Sequence, residues 1–151
     1  MEIVIIVFIV LAVAGFLTVE SGPITVTGET MAIAPTTTVQ RIAKAIATAE
    51  GFYVSGSLPQ RANNPGDLER GDLGNGTING KTVYPSASQG WEALYKEVEL
   101  ILDGRSAYYK PTSSISEIAV TYTGSDNASA WAQNVADTLG VDIDTQIGQV
   151  A

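Results

Sequence analysis

Residues Ile3 to Val19 read IVIIVFIVLAVAGFLTV, seventeen positions without a charge. No other feature of the chain restricts its folding as much. At about 1.5 Å rise per residue a helix of this length spans roughly 26 Å, close to the hydrocarbon thickness of a bilayer. The run is apolar on every side, so it has no polar stripe with which to lie on the surface of a globular domain. Glu2 and Glu20 bracket it, and Ser21-Gly22-Pro23 ends it. It therefore predicts a transmembrane anchor over residues 1–19. A cleaved signal peptide competes, because Ala12-Val13-Ala14 has the small-x-small form of a cleavage site. No Lys or Arg precedes the run, as a signal sequence would require, and this favours a retained anchor. The first basic residue is Arg41, too distant to set an orientation.

After the anchor, residues 20–37 carry Gly22, Pro23, Gly28 and Pro35 among several threonines. This composition predicts a tether, with a first strand at Ile24-Thr25-Val26-Thr27 as the alternative. Residues 38–151 then form one domain large enough for a real core. The chain has neither His nor Cys. That excludes Ser-His-Asp triads, thiolate nucleophiles, disulfides and His- or Cys-ligated metals, and no metal or cofactor is expected. Eight Lys and Arg stand against sixteen Asp and Glu, a net charge of −8, whereas a nucleic-acid partner needs a basic footprint. Catalysis, if any, must run on Asp, Glu, Lys, Tyr, Ser or Thr.

The domain reads as α+β, mainly α. Val39, Ile42, Ala43, Ile46 and Ala47 recur at helical spacing; Thr37 or Thr38 caps the start, and Gly51 stops it. Residues 51–90 are rich in Gly and Pro. Within them Thr77-Ile78-Asn79-Gly80-Lys81-Thr82-Val83-Tyr84 places Asn-Gly between β-prone runs, which predicts a hairpin and a small β-lobe. Ser86-x-x-Gln89 has capping-box form. It opens a helix with Trp91, Leu94, Tyr95, Val98, Ile101 and Leu102 on one face, closed by Gly104. Ser114-x-x-Glu117 opens a further helix with Ile118, Ala119 and Tyr122. Asp126 or Asn127 caps another, with Trp131, Val135 and Leu139 on one face and Gly140 as its stop, and Val141 to Ile147 add a last turn.

Glu50 is the residue with chemical potential. It follows Ile46 by four positions and Ala43 by seven, so its carboxylate falls on the same stripe as the core residues. It also sits in the last helical turn, where the dipole disfavours an anion. Both effects raise a carboxyl pKa, and a carboxyl kept protonated near neutrality is what general-acid cleavage of a glycosidic bond requires. A frayed helix end would instead leave Glu50 facing water.

The surrounding order of motifs bears on this choice. Glu50-Gly51-Phe52 ends a helix; Leu58-Pro59-x-Arg61 and Asn63-Asn64-Pro65-Gly66-Asp67-Leu68 follow; then come the hairpin and Gly90-Trp91-x-Ala93-Leu94. Glu117-Ile118-Ala119-Val120-Thr121-Tyr122-Thr123-Gly124 comes later, followed by Trp131-Ala132-Gln133-Asn134-Val135-Ala136 and Leu139-Gly140-Val141-Asp142. Over residues 39 to 147 this order resembles the lysozyme-like superfamily, in particular phage and bacterial muralytic proteins related to lytic transglycosylases. The Tyr122 segment is similar to that superfamily's Ala-x-x-Tyr-Asn-x-Gly, but Thr123 stands where Asn is usual and Gly124 comes one position early.

The resemblance implies two lobes with a saccharide cleft between them, and Glu50 as the catalytic acid in cleavage of peptidoglycan. It implies weaker roles at matched positions. Asn64 fixes the loop wall or bonds the sugar, or belongs to a plain turn with Asn63. Tyr122 positions Glu50 or the sugar, or is a core aromatic. Arg61 binds a substrate carboxylate or, more simply, holds the loop through an acidic partner. Tyr84, Tyr108 and Tyr109 are candidates for stacking on sugar rings. Asp67, Glu69 and Asp72 are candidates for a second carboxylate, although the family commonly carries Asn at the position of Asp67. A lytic transglycosylase needs one carboxyl only, and that suits this chain slightly better than a two-carboxylate hydrolase. The expected partners are peptidoglycan strands and a lipid membrane through residues 3–19. The membrane would be a phage's internal membrane, where other virion membrane or capsid proteins are further partners, or a bacterial inner membrane with the domain facing the wall. The rival expectation is a non-catalytic structural or glycan-binding protein on the same fold.

Overall fold

The computed structural model describes residues 37–71 and 73–150. The expected anchor over 1–19, all of the expected tether but Thr37, and Asp72 lie outside the described residues. Among the described residues no helix is long and apolar enough to cross a membrane.

The domain is mainly helical. Helix α1 (Thr38–Ala49) begins at a complete capping box: the Thr37 hydroxyl accepts from the Gln40 amide and the Gln40 side chain accepts from the Thr37 amide. These two bonds satisfy donors that a helix start otherwise leaves unpaired. Ile42, Ala43, Ile46 and Ala47 are buried as the spacing predicts, joined by Ala45. A short helix α2 (Leu58–Arg61) falls in a stretch expected to be loop. Its local cause is Ser57, which caps the Gln60 amide, with Pro59 in the first turn, where its missing N–H costs nothing.

The hairpin is shorter than the sequence suggests. Strand β1 (Thr77–Ile78) pairs antiparallel with β2 (Lys81–Thr82), Thr77 opposite Thr82. Asn79 and Gly80 turn between them at φ of 52° and 81°, the pair of positive angles that a two-residue hairpin needs. Val83 still bonds across the hairpin, its amide to the Gly76 carbonyl and its carbonyl to the Asn75 amide, but Tyr84 is drawn inward: its amide bonds the Ala62 carbonyl, and its side chain is 1% exposed.

Helix α3 (Ala87–Leu102) starts at Ser86, whose hydroxyl accepts from the Gln89 amide; the Gln89 side chain returns to the Ser86 hydroxyl, not to its backbone, so the box is half made. Its apolar face divides. Leu94, Val98 and Ile101 enter the core, whereas Trp91 and Tyr95 stay on a flank, with Phe52 edge-on to Trp91 at 5.6 Å. Helix α4 (Ile115–Thr123) has the full Ser114–Glu117 box and ends at Gly124. Helix α5 (Ala128–Leu139) has Asn127 at its cap position without a side-chain bond, and ends at Gly140 in the left-handed region.

The core lies where α5 packs on α1 and α4 and α1 packs on α3. Ile42, Ile46, Val98, Ile101, Ile118 and Val135 fill it. Within Val141–Ile147 the expected turn forms at Asp142–Thr145, the Thr145 amide bonding the Asp142 carbonyl at 3.0 Å, and the segment makes a return along the start of α4. The Ile115 and Ser116 amides bond the Thr145 and Ile143 carbonyls, and a 3-10 turn follows at Ile147–Gln149. This return ties the C-terminal segment to the start of α4.

Candidate active site

Glu50 is the C-cap of α1. Its backbone remains helical and its amide bonds the Ile46 carbonyl at 2.9 Å, after which Gly51 turns the chain at φ 74°. The next amide, of Phe52, returns to the Ala47 carbonyl at 3.0 Å, so the helix end is closed and does not fray. The Glu50 side chain is thereby held in the wall of a cleft of about 580 Å³. Asp67, Glu69 and Lys81 line one part of the cleft, and Tyr122, Asn127, Trp131 and Asn134 another.

The Trp131 indole Nε1–H donates to Glu50 Oε1 at 2.7 Å. Burial pushes the Glu50 pKa up from 4.5 to about 7; the indole hydrogen bond opposes this, the nearby Asp67 adds to it, and Lys81 opposes it. The carboxyl group is therefore a usable proton donor near neutrality. Burial is the main cause.

Tyr122 packs against the indole that bonds Glu50. Its ring stacks on Trp131 with centroids 5.0 Å apart, and its hydroxyl donates to the Gly66 carbonyl at 2.6 Å. It thus joins the indole that holds Glu50 to the loop that carries Asp67. Burial raises its pKa well above 10, so the phenol stays neutral.

Asn64 is a structural residue, which corrects the substrate-binding expectation. It is fully buried, and its amide is used up on backbone: Nδ2 donates to the Leu68 and Thr82 carbonyls at 2.8 and 2.9 Å, and Oδ1 accepts from the Leu68 amide at 2.9 Å. The unusual backbone angle falls on Asn63, at φ 53°. Tyr84 is likewise corrected: a ring that is 1% exposed has no face for a sugar, and its hydroxyl fills the space that Gly71 leaves open. Arg61 is exposed at the end of α2 and is not among the residues that line the cleft.

The acidic candidates separate. The Asp67 side chain is 17% exposed and Oδ2 pairs with Lys81 Nζ at 3.4 Å; Oδ1 is buried without a hydrogen-bond partner, and the backbone sits at φ 48°. A buried orphan oxygen and a left-handed non-glycine both cost free energy and tend to occur at functional positions. Glu69 is 72% exposed and pairs with the same lysine at 3.2 Å from the outside. Tyr108 and Tyr109 line an adjoining hollow that shares Asp67, Lys81 and Tyr122 with the main cleft. Tyr109 is half-buried and lies 6.0 Å from Tyr122.

Two cleft residues escape a reading of the sequence. Trp131 sits on the core stripe of α5, and nothing in its spacing distinguishes an indole that packs from one that also donates. Lys81 follows Asn79-Gly80, so its place at the hairpin was visible, but its two acidic partners were not. Among the described residues no group of three or more acidic side chains is arranged to hold a metal ion. No family model matches the chain, and no curated protein or solved structure matches it significantly.

Proposed function

We propose that the chain is a peptidoglycan-cleaving enzyme on a lysozyme-like fold, a lytic transglycosylase with Glu50 as its acid and then its base. The observation that carries this reading is a carboxyl group at a closed helix end, lining a cleft of about 580 Å³, with its pKa raised to about 7 by burial. Protonated Glu50 gives its proton to the glycosidic oxygen of a MurNAc–GlcNAc bond as the C1–O bond breaks, and the bonding pair leaves with that oxygen. The Glu50 carboxylate then takes the proton of the muramoyl 6-hydroxyl while O6 bonds to C1, closing an anhydro ring and restoring the acid. The cleft binds by shape and hydrogen bonding, since a net charge of −8 gives no attraction to an anionic wall.

The apolar run over residues 3–19 supports a membrane-tethered enzyme acting locally on the wall. Such an enzyme suits a virion that opens the wall during genome delivery, or the outer face of a bacterial inner membrane.

The orphan Oδ1 of Asp67 favours a second reading of the same site, hydrolysis, with Asp67 as the base that activates water. Mass spectrometry of fragments released from purified peptidoglycan separates the two. Anhydromuramoyl ends support the transglycosylase; reducing ends support hydrolysis. Glu50→Gln should lose roughly 10²–10⁴-fold in rate under either reading while remaining folded. An active Glu50→Gln protein overturns both. A folded wild type that binds glycan and releases nothing assigns the fold to binding or structure instead.

A further inference from the structure

The Glu50 carboxyl has two oxygens, and the structure treats them differently. Oε1 receives the indole N–H of Trp131 at 2.7 Å. An N–H donor is best accepted by the carbonyl-like oxygen of a neutral carboxyl group, so the acidic hydrogen belongs on the other oxygen. Trp131 is well fixed for this task. It is 5% exposed on the buried face of α5, and its ring is held flat against Tyr122, 5.0 Å away at 30°. Tyr122 is in turn fixed through its hydroxyl to the Gly66 carbonyl.

We propose that Trp131 is a positioning residue: by occupying Oε1 of Glu50 it makes Oε2 the oxygen that carries the mobile proton and faces the bond to be cleaved. The inference rests on the acid role proposed for Glu50. When the proton leaves Oε2 for the glycosidic oxygen, Glu50 becomes an anion and the hydrogen bond to Oε1 becomes charge-assisted and stronger. The indole therefore stabilises the transition state more than the bound substrate, and its removal should act on kcat and leave KM nearly unchanged.

The titratable groups around Glu50 are Asp67 and Lys81 on the loop and hairpin side, Glu69 beyond Lys81, Tyr109, whose own pKa the Glu50 charge raises, and the Tyr122 phenol of α4. The phenol stays neutral well above pH 10 and Lys81 stays charged, its pKa raised by its acidic partners against the opposing effect of burial. Glu50→Gln removes the titrating group and keeps an oxygen that accepts from the indole.

The test uses the full chain with ¹⁵N-labelled tryptophan. The protein has two tryptophans, and Trp91→Phe assigns their indole signals. The Trp131 signal should move downfield as Glu50 ionises, with a midpoint near pH 7, and should stay still in Glu50→Gln. In turnover, Trp131→Phe should lower kcat by about 10- to 100-fold and move the alkaline limb of the pH profile up by about one unit. If phenylalanine fails to fold, 3-benzothienylalanine at position 131 keeps the ring volume and removes only the N–H. A Trp131 signal that does not follow Glu50, or a folded variant with its alkaline limb in place, overturns the inference. The indole titration needs no turnover. A protein that releases no fragments would therefore overturn the enzymatic reading, and a flat indole signal would overturn this one.

Discussion

At the scale of single residues, the decisive quantity is how completely each polar group is satisfied. Asn64 uses both ends of its amide on the backbone of its own loop and of β2. Asn64→Ala should strand those buried carbonyls and an amide and cost about 2–4 kcal/mol in a urea melt. A cost near zero would mean that Asn64 is free for sugar. Asp67 is the opposite case, with one oxygen paired to Lys81 and one left without a partner. The motif Asn63-Asn64-Pro65-Gly66 was legible as a special loop, but which asparagine turns the chain and which braces it depends on what lies opposite. The same holds for Tyr84 and Tyr122. Both are tyrosines near apolar residues in the sequence, yet one ring ends inside the core and the other ends against the acid's hydrogen-bond donor.

At the scale of elements, local rules account for the helix ends. Thr37, Ser86 and Ser114 accept from the amide three residues on, as their sequence context predicts, and Ser57 does the same at a helix the sequence reading placed in a loop. They do not account for how closely elements meet. Gly90 lies in the first turns of α3 where a Cβ would overlap the Asn63 carbonyl oxygen. Glycine-to-alanine exchange inside a helix normally stabilises by about 1 kcal/mol. Gly90→Ala should instead destabilise by about 1–3 kcal/mol, because the loop that positions Asp67 must shift. Thermal melts would check the sign, and a stabilised variant would show that the loop yields freely. The end of the hairpin has a similar origin: burial of Tyr84 turns its amide to the Ala62 carbonyl and stops a pairing that β-propensity alone would have extended.

At the scale of the molecule, the raised pKa of Glu50 links stability to pH. In the folded state the group holds its proton to about pH 7, and when unfolded it releases it near 4.5. Below both values the two states bind the proton equally and Glu50 costs nothing. As pH rises from 4.5 to 7 only the unfolded chain ionises, so stability falls, and above 7 the loss is constant. Allowing for solvent at the cleft mouth, the loss is about 2 kcal/mol. Glu50→Gln should therefore be more stable than wild type at pH 8 by about that amount, with the gap closing by pH 4; equal stability at both values would deny that Glu50 is buried as a neutral acid. The sequence by itself determined the order of the main helices, their caps, the hairpin turn and the presence of Glu50 on a buried stripe. These follow from periodicity and from contacts within a few residues. Only the tertiary structure decided that Trp131, 81 positions away, donates to Glu50, that Lys81 bridges Asp67 and Glu69, and that Asn64 and Tyr84 are closed to solvent. Those outcomes depend on which faces of α1, α4, α5 and the hairpin meet, and no local pattern encodes the groups that burial will bring together.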